Sequence, residues 1–316
     1  MNTAKNINKP KAFPKKTVIL FVSFFLIISL IIVSISIYVG WNLTRPKRDA
    51  INDSPSNYGL IYEDISFHSL YDNISLKGWW IPSQKSKNIN QTNETVIFSH
   101  GYGDNRSLRD ISVLNLAQKL VQAGYNVLVF DFRASGKSEG SISSIGQFEK
   151  YDVLSAIKFA KSQKHSNNIH LIGWSMGAVS SILAGTESED VKTIIADSPF
   201  ANLRNYLKDN LPHWSHLPSF PFTNIILSTI PIMEGVDVDS VRPIDAVANL
   251  KNKRLLLIHS KNDKAIPYHN SELIYKAVPN KKLVDIWITK KAGHIRSYLT
   301  NKNEYEKKIL SFLKNN

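Results

Sequence analysis

From Leu60 onward the chain alternates two periods of apolar residues. "LIYEDISFHS" (60–69) and "ISLKGWWIP" (74–82) predict two strands joined in a hairpin around Asp72-Asn73. Short apolar runs then predict buried strands: "TVIFSHG" (95–101), "YNVLVFDFR" (125–133), "NIHLIGWS" (168–175), "VKTIIADSPF" (191–200), "RLLLIHSKND" (254–263) and "KLVDIWITK" (282–290). Between them lie stretches with helical spacing: "SLRDISVLNLAQKLVQAG" (107–124), "FEKYDVLSAIKFAKSQ" (148–163), "MGAVSSILAG" (176–185) and "NSELIYKAV" (270–278), with a final helix from about Arg296. Strands alternating with helices imply a mainly parallel α/β sheet, doubly wound and covered on both faces. The alternation breaks at Ala201–Leu250, which holds Trp214, Phe220, Phe222 and four prolines before Pro243. Fifty residues is long for one connection, so this stretch is expected to be a cap inserted over the carboxyl edge of the sheet.

A different pattern fills the start of the chain. "TVILFVSFFLIISLIIVSISIYVG" (17–40) is apolar on every face and carries no charge. As a helix rising 1.5 Å per residue it exceeds a ~30 Å hydrocarbon core. The expected division is a basic tail over 1–16, a transmembrane signal-anchor over 17–41, a linker over 42–58 and a catalytic-type domain over 59–316. A cleaved signal peptide is the competing reading, but its apolar region usually spans ~7–15 residues. Lys5, Lys9, Lys11, Lys15 and Lys16 precede the run and favour a cytoplasmic N-terminus, with the domain outside the cell membrane.

Charge and composition narrow the chemistry. Residues 1–50 supply more than half of the net charge of +13, and the remainder is scattered. No basic helix or aromatic-basic alternation points to nucleic acid. The chain has no cysteine, which excludes disulfides and thiolate chemistry, and its nine histidines lack metal-ligand spacing. No metal and no cofactor is expected.

Two stretches match the serine-nucleophile pattern G-x-S-x-G: "GKSEG" around Ser138 and "GWSMG" around Ser175. A nucleophile must sit on a tight turn where a strand runs into a helix, so that the hydroxyl is exposed and the helix N-terminus faces developing negative charge. "IHLIGWSMGAVSSILAG" has that context. Around Ser138 the strand has ended earlier and loop follows, so Ser138 is expected to be a turn residue. The phosphate-loop reading of "GKS" fails because Asp131 stands where its first glycine is needed.

A serine needs a base, and the base needs an orienting carboxylate. Asp263 follows one predicted strand and His294 the next, both at the edge that carries Ser175. Asp197, Asp237 and Asp239 are the rival carboxylates. The oxyanion hole is assigned to the backbone N–H groups of Met176 and Tyr102, with His100 supporting the loop of Tyr102. Trp214, Phe220 and Phe222, with Ile225 and Ile226 beside them, are expected to border the substrate entrance.

The chain resembles the serine-nucleophile α/β-hydrolases. The likeness is nearest to a membrane-anchored bacterial cell-surface branch related to serine aminopeptidase-like and acyl-peptidase-like hydrolases. "LKGWWIP", "HGYGDN", "DFRASGKSEG", "GWSMG", "HSKNDKAIP" and Gly293-His294 carry the resemblance, which spans about 59–313. It implies the α/β-hydrolase fold and hydrolysis through an acyl-enzyme. It also places Ser138 in a structural loop motif, where Ala134 replaces the family's first glycine. The expected activity is cleavage of a carboxylic ester, lipid-like or wall-linked, with the membrane as the other partner. A serine peptidase or amidase is the alternative, and a catalytically silent surface-binding domain the second.

Overall fold

The computed structural model describes residues 14–85 and 88–314. Eight strands form one sheet: β1 (Glu63–His68), β2 (Ser75–Ile81), β5 (Glu94–Ser99), β6 (Asn126–Phe130), β7 (Asn168–Trp174), β8 (Val191–Asp197), β9 (Arg254–Ser260) and β10 (Val284–Thr289). A short pair, β3 (Gln84–Lys85) and β4 (Asn88–Ile89), stands apart. The sheet order is β1-β2-β6-β5-β7-β8-β9-β10. β1 and β2 are antiparallel, as the predicted hairpin requires, and from β6 to β10 every pairing is parallel.

The strand period of two decides which helices each face receives. Ile97, Leu128, Phe130, Leu171, Ile194, Leu255 and Leu257 point to one face, where α3 (Glu149–Lys164), α4 (Met176–Glu187) and α8 (His269–Ala277) contribute Val153, Ile182 and Ile274. Their neighbours Val96, Phe98, Val127, Val129, Ile172, Trp174 and Ile258 point to the other, where α2 (Val113–Gln122) and α10 (Lys302–Lys314) contribute Leu114, Tyr305 and Ile309. Each such apolar side chain, once buried, contributes about 1.5–3 kcal/mol relative to exposure. This is the α/β-hydrolase fold, with both faces covered as the alternation predicts.

The stretch 201–250 folds into α5 (Leu203–Ser215), α6 (Ser219–Glu234) and the short α7 (Pro243–Ala246). Its apolar residues Leu207, Leu211, Ile226, Leu227 and Ile230 form a third core with Phe200 and Val241. α5 begins with a side-chain cap, Asn202 Oδ1 accepting from the N–H of Asn205 at 2.9 Å.

The N-terminal helix, α1, runs from Lys15 to Leu43, longer at both ends than the uncharged run alone suggests. Most of its apolar side chains up to Val33 are exposed, Ile28 and Ile32 being half-buried, and its last turns dock on α6. A Cβ on Gly40 would sit 3.3 Å from Ile230, so glycine lets the two helices approach. Of the stretch 42–58 expected to be a linker, the first two residues end α1 and Pro55–Tyr58 form a 3-10 turn. The rest is irregular, yet it is held along its length. Arg45 forms a bidentate ion pair with Glu234 at 2.7 and 2.9 Å. Arg48 donates to the carbonyls of Ser135, Gly136, Ser138 and Gly140. Local pattern shows the prolines that interrupt regular structure but not these distant acceptors. Residues 1–13 of the predicted basic tail lie outside the described residues.

Candidate active site

β7 ends at Trp174 and α4 begins at Met176, leaving Ser175 alone on the turn with φ 53° and ψ −119°. A non-glycine residue with positive φ is held there by its surroundings. Those surroundings are two close approaches. A Cβ on Gly173 would meet the carbonyl oxygen of Gly177 at 2.2 Å, and one on Gly177 would meet that of Ser99 at 2.0 Å. Both glycines of "GWSMG" are therefore required. The N–H of Ser175 donates to the carbonyl of Asp197 at 2.9 Å, tying the turn to β8.

Ser175, His294 and Asp263 meet at the carboxyl edge of the sheet. His294 Nε2 lies 2.9 Å from Ser175 Oγ, and its Nδ1 lies 2.7 Å from Asp263 Oδ2. With Nδ1–H donating to the carboxylate, Nε2 is the acceptor that faces the serine hydroxyl. Asp263 is fixed in turn: Oδ1 accepts from the N–H groups of Ala265 and Ile266, both at 2.9 Å. Burial pushes the Asp263 carboxyl up. The hydrogen bonds from His259 and His294, the charge of His294 and the Ile266 N–H outweigh it and hold the group well below the usual carboxylate range.

His259 is a neighbour that sequence reasoning did not single out. It lies at the end of β9, fully buried, with Nε2 2.8 Å from the carbonyl of Ile266 and 3.3 Å from Asp263 Oδ2. Its Nδ1 is 2.7 Å from Ser271 Oγ. Facing two acceptors, Nε2 carries the proton, and His259 thereby braces the loop that presents Asp263. The signal was the four-residue spacing in "HSKND", which reads as strand when taken alone.

The rival carboxylates lie elsewhere. Asp197 is fully buried and bonded to Ser198 Oγ and the Tyr305 hydroxyl at 2.9 and 3.1 Å. Burial pushes it up to about 6. Asp239 pairs with Arg204 at the cap surface, and the N–H of Asp237 donates to Gln147. Ser138 is 2% exposed, donating to the carbonyl of Asp131 and accepting from the N–H of Lys77.

Behind β5, His100 is buried with Nδ1 2.7 Å from the Gly101 carbonyl and Nε2 accepting from the N–H of Phe132. Burial lowers its pKa, which suits a neutral ring that braces the Tyr102 loop. Among the described residues, no hydrogen bond occupies the backbone N–H of Tyr102 or Met176. Both residues line the same cavity as Ser175.

That cavity, about 410 Å³, is walled by Leu43, Ile145, Phe200, Leu207, Trp214 and Ile266 among others. Trp214 borders it as expected. Phe220 and Phe222 do not: Phe220 is 82% exposed beyond the start of α6, and Phe222 packs on the cap's own core. The turn between α5 and α6 carries them away from the opening. Ile226 is buried in the same core. Leu43, from the end of α1, was not anticipated as a wall. Asp104 also lines the cavity, and burial, with the charges of Asp49 and Asp110, pushes it up to about 6.

Residues 111–316 match the prolyl oligopeptidase family. The chain is 32% identical to the protein YqkD of Bacillus subtilis over 227 residues, covering 71% of this chain and 72% of that one. It is 25% identical over 297 residues to the lysophosphatidylserine lipase ABHD12 of Xenopus tropicalis, covering 87% of this chain and 72% of that one. Among solved structures, the Pyrococcus furiosus esterase Pf2001 superposes with a TM-score of 0.71 at 26% identity, covering 87% of this chain and 98% of that one. The chain thus belongs to the prolyl oligopeptidase family and is a serine hydrolase of the α/β-hydrolase fold.

Proposed function

We propose that the chain is a membrane-anchored esterase that cleaves a carboxylic ester bearing an apolar acyl chain, with Ser175, His294 and Asp263 as its triad. The observation that carries this reading is the hydrogen-bonded chain of hydroxyl, imidazole and carboxylate opening into a mostly apolar cavity. Ser175 Oγ attacks the ester carbonyl while its proton passes to His294 Nε2. Asp263 stabilises the imidazolium and does not itself take the proton. The N–H groups of Met176 and Tyr102 face the developing oxyanion, aided by the N-terminus of α4. His294 then protonates the departing alcohol, leaving an acyl-enzyme. A water molecule, deprotonated by His294, repeats the attack and releases the acid and Ser175.

The cavity supports an ester with an apolar acyl part, because a largely apolar wall offers few partners to a peptide backbone. The two relatives named for lipase and esterase activity agree with that choice. α1 is the anchor, long enough to cross a bilayer and exposed along its apolar span. The lysines before it support a cytoplasmic N-terminus, with the domain outside the cytoplasm.

The test is a kcat/KM series on acetyl to octanoyl esters beside peptide anilides. Octanoyl esters should be preferred, and Trp214→Ala should cost about tenfold or more on them and little on acetyl esters. Equal losses on both would remove Trp214 from acyl binding. Faster turnover of peptide anilides would replace the esterase reading with a peptidase. Protease added to intact cells should digest the domain, and protection until lysis would reverse the topology.

A further inference from the structure

The chain contains a second long uncharged stretch at its surface. From Asn210 to Met233 there is no Asp, Glu, Lys or Arg. A comparable run at 165–186 is explained by burial around Ser175. The run at 210–233 is not: Trp214 is 47% and Phe220 82% exposed, with Leu217 half-buried between them. This run forms the end of α5, the connecting turn and α6.

α6 lies beside α1 and runs in the same direction. Gly40 rests against Ile226 and Ile230, and Arg45 pairs with Glu234 further along both helices. The face of α1 that turns inward is Ile32, Ser36, Gly40 and Thr44, a four-residue stripe. Gly40 is therefore level with about residue 228 of α6. Seven residues back from 228, ~10 Å lower, the regular part of α6 starts at Pro221, since Phe220 itself is non-helical (φ −97°, ψ 132°). Phe220 stands at that end of the helix, at about the level of Ile32 on α1.

The depth of that level follows from α1. Lys16 is the last charge before the apolar run, and no other charge occurs before Arg45. About 20 residues cross a ~30 Å hydrocarbon core, which places the outer boundary near Ser36. Tyr38 and Trp41, 68% and 46% exposed, then occupy the headgroup region, where amphipathic rings concentrate. Ile32, and with it Phe220, lies ~6 Å inside the hydrocarbon.

We propose that the turn between α5 and α6 inserts into the outer leaflet beside α1, so that the cap is a second membrane contact and the catalytic cavity opens onto the lipid. The reading rests on α1 being the membrane anchor. It accounts for Phe220 lying outside the cavity yet exposed. It also accounts for the cavity's two membrane-side walls, Leu43 of α1 and Trp214 of α5. Substrate then enters from the bilayer surface, acyl chain first, without crossing water.

Because the chain has no cysteine, single probes can be attached to the full-length protein. Phe220→Cys, Ile31→Cys and Lys251→Cys, each labelled with a nitrobenzoxadiazole maleimide, are reconstituted into phosphatidylglycerol/phosphatidylethanolamine vesicles containing lipids with a nitroxide on the acyl chain. The labels at 220 and 31 should be quenched by the nitroxide and shielded from aqueous iodide, and the label at 251 should behave the opposite way. Iodide quenching at 220 with lipid quenching at 31 overturns the inserted cap and leaves the anchor standing. Iodide quenching at both overturns the anchor as well. Phe220→Glu, at a surface position, should lower turnover of a vesicle-embedded long-chain ester at least tenfold and leave a soluble acetyl ester unchanged. Equal turnover of the embedded ester by both proteins also overturns the proposal.

Discussion

At Ser175 a buried strand ends one residue before the serine and a helix starts one residue after it. At Ser138 loop lies on both sides, and the hydroxyl is spent on the carbonyl of Asp131 and the N–H of Lys77. The same five-letter pattern thus yields a half-buried serine facing His294 and the cavity in one place and a buried brace in the other. The glycines differ as well. Gly173 and Gly177 are required by backbones packed within reach of a Cβ. Gly136 is required by a side chain, since a Cβ there would meet the Asp131 carboxylate at 2.2 Å, and Gly140 by its φ of 94°, in a loop that wraps Asp131. Asp131 accepts from the N–H, Nε and guanidinium NH2 of Arg106 and from the N–H of Lys137. The loop is built around a carboxylate, the elbow around a hydroxyl that faces His294.

The largest effect should separate the two serines. Ser175→Ala should lower kcat by about 10⁵ or more, since removing a triad nucleophile leaves only binding and the oxyanion donors. Ser138→Ala should keep kcat within about tenfold. It should lose about 1–3 kcal/mol of stability, because the N–H of Lys77 is left without its side-chain acceptor. Kinetics and denaturant unfolding of the full chain in one detergent read both. An inactive Ser138→Ala that unfolds like the unsubstituted chain would reverse the assignment.

Two carboxylates extend the comparison across the elbow. Asp263→Asn should cost about 10⁴ in rate by misorienting His294. Asp197→Asn should cost under tenfold, because Asp197 holds Ser175 through its backbone carbonyl, which asparagine retains. The stability of Asp197→Asn carries a pH signature. The folded-state pKa of Asp197, about 6, is above the ordinary value of 3.8. Its contribution is thus fully present below pH ~4 and lost as pH rises through 6. Between pH 4 and 7 the unsubstituted chain should lose up to about 3 kcal/mol relative to the variant. A difference that does not change with pH would mean that Asp197 is ionised throughout. A loss of rate as large as that of Asp263→Asn would move the acid to Asp197.

These contrasts show what local pattern can and cannot reach. The alternating strands and the elbow were legible, because each is set by residues within a few positions of one another; Asp263 and His294 could be singled out because each follows a strand at the edge that carries Ser175. Residues whose partners come from distant segments were not. Leu43 becomes a cavity wall only because Gly40 lets α1 settle on α6. His259 is a different case: only four residues before Asp263, it escapes sequence reasoning because its stretch reads as strand, and it braces Asp263 once the chain turns back through Ile266. The expectation for Phe220 and Phe222 failed for a related reason. Their apolarity was read as pointing inward to substrate, whereas Phe220 turns outward and Phe222 packs, half-buried, on the cap's core.

The smallest prediction concerns the backbone under the two motifs. Ala134, where the family has glycine, keeps the loop turn at φ 55°. Ser175 has a similar φ but ψ of −119°, outside the left-handed well. The left-handed well costs an L-residue about 1–2 kcal/mol, and sparser regions about 1–3 kcal/mol. Glycine removes that cost, but it loosens the unfolded chain by about 0.4–1 kcal/mol. At position 134 it also gives up a methyl that is 4% exposed, worth about 0.8 kcal/mol. The terms nearly cancel there, so Ala134→Gly should change stability by under about 0.5 kcal/mol. At position 175 the side chain is only part-buried, so less is lost. Ser175→Gly should therefore be about 1 kcal/mol more stable than Ser175→Ala, both lacking the bond to His294. Thermal midpoints of the three variants in one detergent give the order. A larger gain at 134 than at 175 would mean that the strain lies in the loop and that the elbow is relaxed.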